Sequence, residues 1–235
     1  MRLRLHLAVG LCLFAGIQVA AQTSIFEVPP QYAAGLGPTA VAVGDFNGDG
    51  KLDLAVSDNC PASGCGSNPS STVSILLGNG DGTFQPPVSY AVGDIPAGVV
   101  VGDFNGDGKL DLAVLTSDFV AILLGNGDGT FQAAVDYGTP GRSSSVAVGD
   151  FNGDGKPDLV VTNGLNSTVS VFLNSGAGTF PTRQDFATGF GPTSVAVGDF
   201  NGDGKLDLAT TGCGSSTTCN DLTVPGYVSI LLGDG

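Results

Sequence analysis

Asp45-Phe46-Asn47-Gly48-Asp49-Gly50-Lys51-Leu52-Asp53 places oxygen-bearing side chains at positions 1, 3, 5 and 9 of a nine-residue stretch, with glycine at position 6. The same pattern returns at 103–111, 150–158 and 199–207, almost letter for letter. A hard divalent cation takes six to eight oxygens from carboxylates, amide carbonyls, backbone carbonyls and water. In the first loop Asp45, Asn47, Asp49 and Asp53 offer side-chain oxygens, and Lys51 offers its backbone carbonyl. The later loops repeat the set as Asp103, Asn105, Asp107, Lys109 and Asp111, as Asp150, Asn152, Asp154, Lys156 and Asp158, and as Asp199, Asn201, Asp203, Lys205 and Asp207. Gly50 and its counterparts sit where the chain must turn sharply, at backbone angles a side chain resists. The expectation is about four Ca²⁺ ions, one per loop.

Two other readings compete. An EF-hand shares the start of this pattern but closes with glutamate at position 12, where this chain has Val56, Val114, Val161 and Thr210. The flanks, such as Val41-Ala42-Val43 before the first loop and 52–56 after it, are short apolar runs that read as strands. Asn, Asp and Gly also dominate ordinary turns, so a turn without metal is the second competitor. Three aspartates at fixed offsets in four copies favour the cation, since without one the carboxylates repel.

The period, counted from the first loop aspartate, is 58, 47 and 49 residues, and an insertion holding Cys60 and Cys65 lengthens the first interval. Phe26 precedes Tyr32 by six residues, as Phe84 does Tyr90, Phe131 does Tyr137 and Phe180 does Phe186. Repeats are therefore expected at about 26–83, 84–130, 131–179 and 180–235. Each ends in an apolar run (73–77, 120–124, 169–173, 228–232), and the first two run into Gly-Asn-Gly-Asp-Gly-Thr-Phe hairpin turns. Four strands per 40–50 residues is propeller-blade spacing. The expected fold is all-β: a β-propeller or partial propeller of four four-stranded blades. The near-continuous apolar runs suit strands buried on both faces between blades. The last residues, 232–235, stop inside a turn that elsewhere leads on to Thr-Phe, so the expectation is part of a larger ring.

A basic start at Arg2 and Arg4, an apolar run over 7–19 and Val19-Ala20-Ala21 form a secretory signal over 1–21, leaving 22–235 as the exported, soluble chain. The net charge is −14, and twelve of the 22 acidic residues lie in the four loops. The acidity therefore speaks of metal, and it argues against nucleic acid, which needs a basic face. No segment is long and apolar enough to span a membrane. In an oxidising compartment Cys60 is expected to pair with Cys65 and Cys213 with Cys219, with free thiols or cross-pairing as the alternatives. The sole histidine is His6, inside the signal, so no Ser-His-Asp or Cys-His arrangement remains and no enzyme is expected.

The unit Gly-Asp-Phe-Asn-Gly-Asp-Gly-Lys-x-Asp-Leu, with its Val-Ser-Ile-Leu-Leu-Gly strand, resembles the FG-GAP and VCBS repeats of secreted bacterial proteins. It is also similar to the calcium-binding blades of integrin alpha subunits. The resemblance implies a β-propeller with each loop between the first two strands of a blade, and ligand roles for the residues named above. Family rings commonly have about seven blades; this sequence has four repeats. The function expected is an extracellular binding or adhesion module for an unidentified protein or glycan. The alternatives are a non-catalytic arm of a larger secreted enzyme and a structural surface protein without a specific ligand. Partner contacts are expected in the variable segments 58–71 and 211–226.

Overall fold

The computed structural model describes residues 30–59, 71–93, 95–214 and 225–235. The chain divides into two compact units, Met1–Gln31 and Tyr32–Gly235. Of the first only Pro30 and Gln31 are described; the second holds every strand. The expected signal, together with Cys60, Cys65 and Cys219, lies outside the described residues.

The first sheet is an antiparallel meander of β1 (Pro38–Gly44), β2 (Asp53–Asp58), β3 (Ser71–Leu76) and β4 (Val88–Gly93). The second is β5 (Gly98–Gly102), β6 (Asp111–Leu115), β7 (Phe119–Leu123) and β8 (Val135–Gly138). The third is β9 (Ser143–Gly149), β10 (Asp158–Asn163), β11 (Thr168–Leu173) and β12 (Thr182–Ala187). The fourth has three strands among the described residues: β13 (Pro192–Gly198), β14 (Asp207–Gly212) and β15 (Tyr227–Leu231). No helix occurs among the described residues, so none there crosses a membrane. The first strands of successive sheets lie side by side, β1 against β5, β5 against β9 and β9 against β13. This is the expected propeller arrangement.

The four-strand count is met by three sheets, and their phase differs from that of the sequence repeat. Tyr90, Tyr137 and Phe186 stand in β4, β8 and β12, the outer strands, which pair with the sheet before the repeat boundary. Each repeat counted from its phenylalanine thus begins by finishing the preceding sheet.

Apolar packing explains why the sheets stand face to face. In β6, Leu112 and Val114 enter the core between the first and second sheets, while Ala113 and Leu115 enter the core between the second and third. In β7, Ala121 and Leu123 face the first core, and Val120 and Ile122 the second. Successive side chains of a strand point to opposite faces. A strand sandwiched on both sides must therefore be apolar throughout, as the sequence reading expected. The third core, between the third and fourth sheets, includes Val160, Val169, Val171, Val195 and Leu208.

Aromatic rings bolt neighbouring sheets together. Phe131 meets Phe46 and Tyr90 edge-on at 5.6 and 5.7 Å, and Phe180 meets Phe104 and Tyr137 at 5.7 and 5.5 Å. Phe104 is wholly buried. Phe104→Ala is expected to destabilise the protein by roughly 3–5 kcal/mol in denaturant unfolding, the usual cost of emptying a buried phenylalanine site. A loss near zero would mean that the second and third sheets are not held at this seam.

Candidate metal centre

Each of the four loops joins the first two strands of its sheet, so all four lie at one end of the sheets. The hairpins after β3, β7 and β11 turn at the same end. The segments between second and third strands, including those with insertions, leave from the opposite end.

Within a loop the side-chain oxygens are organised by backbone amides. Asp45 accepts from Gly48 and Asp49 on Oδ1, at 2.8 and 3.1 Å, and from Gly50 on Oδ2 at 2.8 Å. Asn47 Oδ1 accepts from the Asp49 amide at 3.0 Å, and Asp49 Oδ1 from the Lys51 amide at 2.9 Å. Asp103, Asn105 and Asp107 repeat these bonds, as do Asp199, Asn201 and Asp203. Asp150, Asn152 and Asp154 do so through the amides of Asp154, Gly155 and Lys156. The chain can aim these amides inward because two glycines per loop take left-handed angles; Gly48 has φ 71° and Gly50 φ 81°. Position 4 thus joins position 6 as a glycine the turn requires, which the sequence reading had not singled out.

Position 9 is different. Asp53, Asp111, Asp158 and Asp207 are completely buried, and each opens the second strand of its sheet. Asp111 Oδ2 accepts from the Phe104 amide at 2.8 Å, and its Oδ1 accepts from the Gly125 amide at 2.7 Å. Asp53 spans the amides of Phe46 and Gly78, Asp158 those of Phe151 and Asn174, and Asp207 those of Phe200 and Gly233. The third acid therefore clasps the loop to the hairpin that follows the third strand. That role escaped the sequence reading, because the hairpin glycine lies 14 residues or more further along. The Leu-Leu-Gly end of the third strand in the first, second and fourth sheets, replaced by Phe172-Leu173-Asn174 in the third, was its only trace.

Six of the loop acids are shifted, in opposite directions. Asp49 and Asp107 are held below the usual carboxylate range, first by the amides of Lys51 and Lys109. Asp154 is lowered chiefly by the Lys156 side chain, and Asp199 by the Gly204 amide. Burial pushes Asp111 and Asp158 upward against the pull of their two amides.

Three of the position-7 lysines fold back on their own loops: Lys51 and Lys156 meet Asp49 and Asp154 at 3.1 Å, and Lys109 meets Asp107 at 3.6 Å. These pairs are half-exposed and add little stability. Lys205 Nζ instead donates to the Asp234 carbonyl.

The donor chemistry fits a hard cation: each loop has three carboxylates, one amide oxygen and a position-7 carbonyl, and an oxygen that accepts one amide keeps a second lone pair. The oxygens here are turned to the loop's own amides; among the described residues no three acidic side chains already converge as a metal-binding group. Asp45, Asn47 and Asp49 would hold a cation with the Lys51 carbonyl, and Asp53 would tie that shell to the sheet; the other loops follow suit. The hairpins are plainer. Asp81 and Asp128 accept from the hydroxyls of Thr83 and Thr130, which closes the turns internally.

A neighbouring sheet braces two of the loops. The Gly129 amide donates to the Phe46 carbonyl at 3.0 Å, and the Gly178 amide to the Phe104 carbonyl at 2.9 Å.

The sequence profile of the FG-GAP-like repeat matches residues 64–114, 103–161 and 150–210, and that of the FG-GAP repeat matches 37–76 and 191–231. No curated protein matches the chain. Among solved structures it is similar to an Agrocybe aegerita lectin with specific recognition of non-reducing terminal N-acetylglucosamine. That match has 27% identity and a TM-score of 0.51, and covers 82% of this chain and 51% of the lectin. It is also similar to BBS1N, solved in complex with ARL6DN, at 16% identity and a TM-score of 0.53, over 76% of this chain and 52% of that one. The chain spans about half the length of these structures.

Proposed function

The chain belongs to the FG-GAP repeat family, and from that membership we propose that it is an exported, calcium-stabilised binding module that engages an extracellular protein or glycan. The observation that carries this reading is the division of the sheets into two ends. One end holds four near-identical loops and the hairpins packed on them. From the other leave the segments that differ most between repeats, 59–70 and 213–226. A uniform end suits a scaffold held by metal; a variable end suits recognition, since binding residues gather on loops carried by a rigid frame.

Export rests on the signal over 1–21, and two local disulfides, Cys60–Cys65 and Cys213–Cys219, would tie down the variable segments. Catalysis is not part of this reading, because outside the signal the chain has no histidine and twelve of its carboxylates lie in the loops.

The similarity to a lectin directs the search to glycans first. On a glycan array that includes terminal N-acetylglucosamine, the protein is expected to bind a restricted set. Alanine substitutions within 61–70 or 215–224 should abolish that binding and leave thermal unfolding unchanged. Absence of binding to every glycan and to extracellular protein extracts would remove the binding-module reading.

A further inference from the structure

Each sheet is entered through a corner eight residues before its first loop aspartate, and the four corners share one backbone shape. Gly37, Ile95, Arg142 and Gly191 hold that position, all in the left-handed region, with φ of 68°, 51°, 52° and 54°. The Arg142 carbonyl accepts from the Gly164 amide at 3.2 Å, as the Gly37 carbonyl does from the Asn59 amide at 2.9 Å. Glycine takes such angles without strain; isoleucine and arginine do not. Among the described residues the non-glycine residues of left-handed backbone are Ile95, Arg142 and Ser167, and all three lie at the end opposite the four loops. At the loop end every described left-handed residue is a glycine. Backbone strain of this kind gathers where a side chain is needed for function rather than for the fold.

The side chains at the two strained corners are exposed, Ile95 to 55%. Because β5 and β9 lie side by side, Ile95 and Arg142 stand on neighbouring corners. Leu165, 66% exposed, reaches the second of them: a Cβ on Gly141 would stand 3.7 Å from it and 3.5 Å from the Asp118 carboxylate. Lys51, Lys109 and Lys156 meet carboxylates, Lys205 meets a carbonyl, and Arg183 meets Asp185 and the Gly138 carbonyl. Among the described residues Arg142 is the one cation whose side chain has no such partner, and Asp118 nearby is not paired with it. The twelve loop acids stand at the far end of the sheets, so they do not oppose an anion here.

We propose that Arg142, with Ile95 and Leu165, is the docking point for a peptide segment of a partner protein that presents an aspartate or glutamate next to a large apolar side chain. This rests on the binding-module reading above and names the partner's chemistry. A guanidinium takes a carboxylate through two parallel N–H donors, and Arg142 gives up no partner of its own to do so. The two aliphatic side chains shield that pair from water and take up the segment's apolar residue. A saccharide suits the corner less, since Ile95 and Leu165 offer it neither a side-chain hydrogen bond nor a flat aromatic face.

Panning a phage-displayed random peptide library on the calcium-loaded full chain is expected to recover peptides with an acidic residue beside a large apolar one. Their synthetic counterparts should bind Arg142→Gln at least about tenfold more weakly, the factor carried by one charge-assisted hydrogen bond. They should lose as much when their own carboxylate is made an amide. Arg142→Gly should lose the binding too, with its thermal unfolding midpoint unchanged or raised, because Gly37 and Gly191 already fill this position in the first and fourth sheets. A lowered midpoint would make Arg142 a residue of the fold and overturn the proposal. So would recovered peptides without acids, full binding to Arg142→Gln, or no peptide recovered at all. In each of those cases the glycan array still judges the binding-module reading by itself. Glycan binding that disappears in Arg142→Gln would give the corner to a saccharide and overturn the proposal as well.

Discussion

Ca²⁺ added to the chelator-stripped protein is expected to saturate at about four ions per chain and to raise the thermal unfolding midpoint by roughly 20 °C or more. A ligand that binds only the folded state adds about 2.7 kcal/mol per site at a hundredfold excess over its Kd. Four independent sites together approach about 11 kcal/mol, and about 1 kcal/mol shifts the midpoint of a domain this size by roughly 2–4 °C. The loops explain both the size of the effect and its alternative. The carboxylates accept from their own loop amides, as Asp45 does from Gly48, Asp49 and Gly50. A cation would draw onto itself oxygens that now face the loop's own amides and that do not already converge among the described residues. Isothermal titration and paired melts decide the matter. No heat and an unchanged midpoint would leave four turns sustained by amides alone.

The second large effect is expected at the buried end of the loop. Asp111→Ala should cost roughly 3–5 kcal/mol even in chelator, because two buried amides, those of Phe104 and Gly125, lose a charged acceptor. Asp107→Ala, at an exposed side chain, should be close to neutral in chelator and harmful only when calcium is present. Urea unfolding of both variants, with and without Ca²⁺, separates the clasp from the ligand shell. Equal losses for the two in chelator would remove the distinction between position 5 and position 9. Asp111→Asn should fall between them, since one amide oxygen can still accept while its NH₂ faces a donor.

Much of this was legible in the letters. The Asp-x-Asn-x-Asp-Gly core of each loop fixes where the chain turns, and the apolar runs of β6, β7 and β10 announce strands covered on both sides. The seam aromatics were legible as a spacing, although their partners were not. What escaped has a common cause: contact across long sequence distance. A ligand aspartate and a clasp aspartate are written with the same letter, and only the position of Gly125 over Asp111 tells them apart. That Tyr90 finishes the first sheet rather than starting the second follows from pairing with β3, which periodicity does not specify. The lysines turned back to position 5 because a carboxylate lies within reach of a flexible stem, a choice that spacing leaves open.

The buried aspartates also settle a matter that hydrophobicity leaves undecided. In a strand with one wet face, sliding the pairing by a residue turns its apolar side chains to solvent and is forbidden on that ground. β6 is apolar on both faces after its first residue, so such a slip would merely exchange one dry surface for another. Asp111 removes that freedom: it opens the strand opposite Gly102 and bonds outward to two fixed amides, and any slip would drag a bare carboxylate into the core. Asp53 opposite Gly44, Asp158 opposite Gly149 and Asp207 opposite Gly198 hold the same post. One polar residue at the head of each strand sets the alignment of everything greasy behind it.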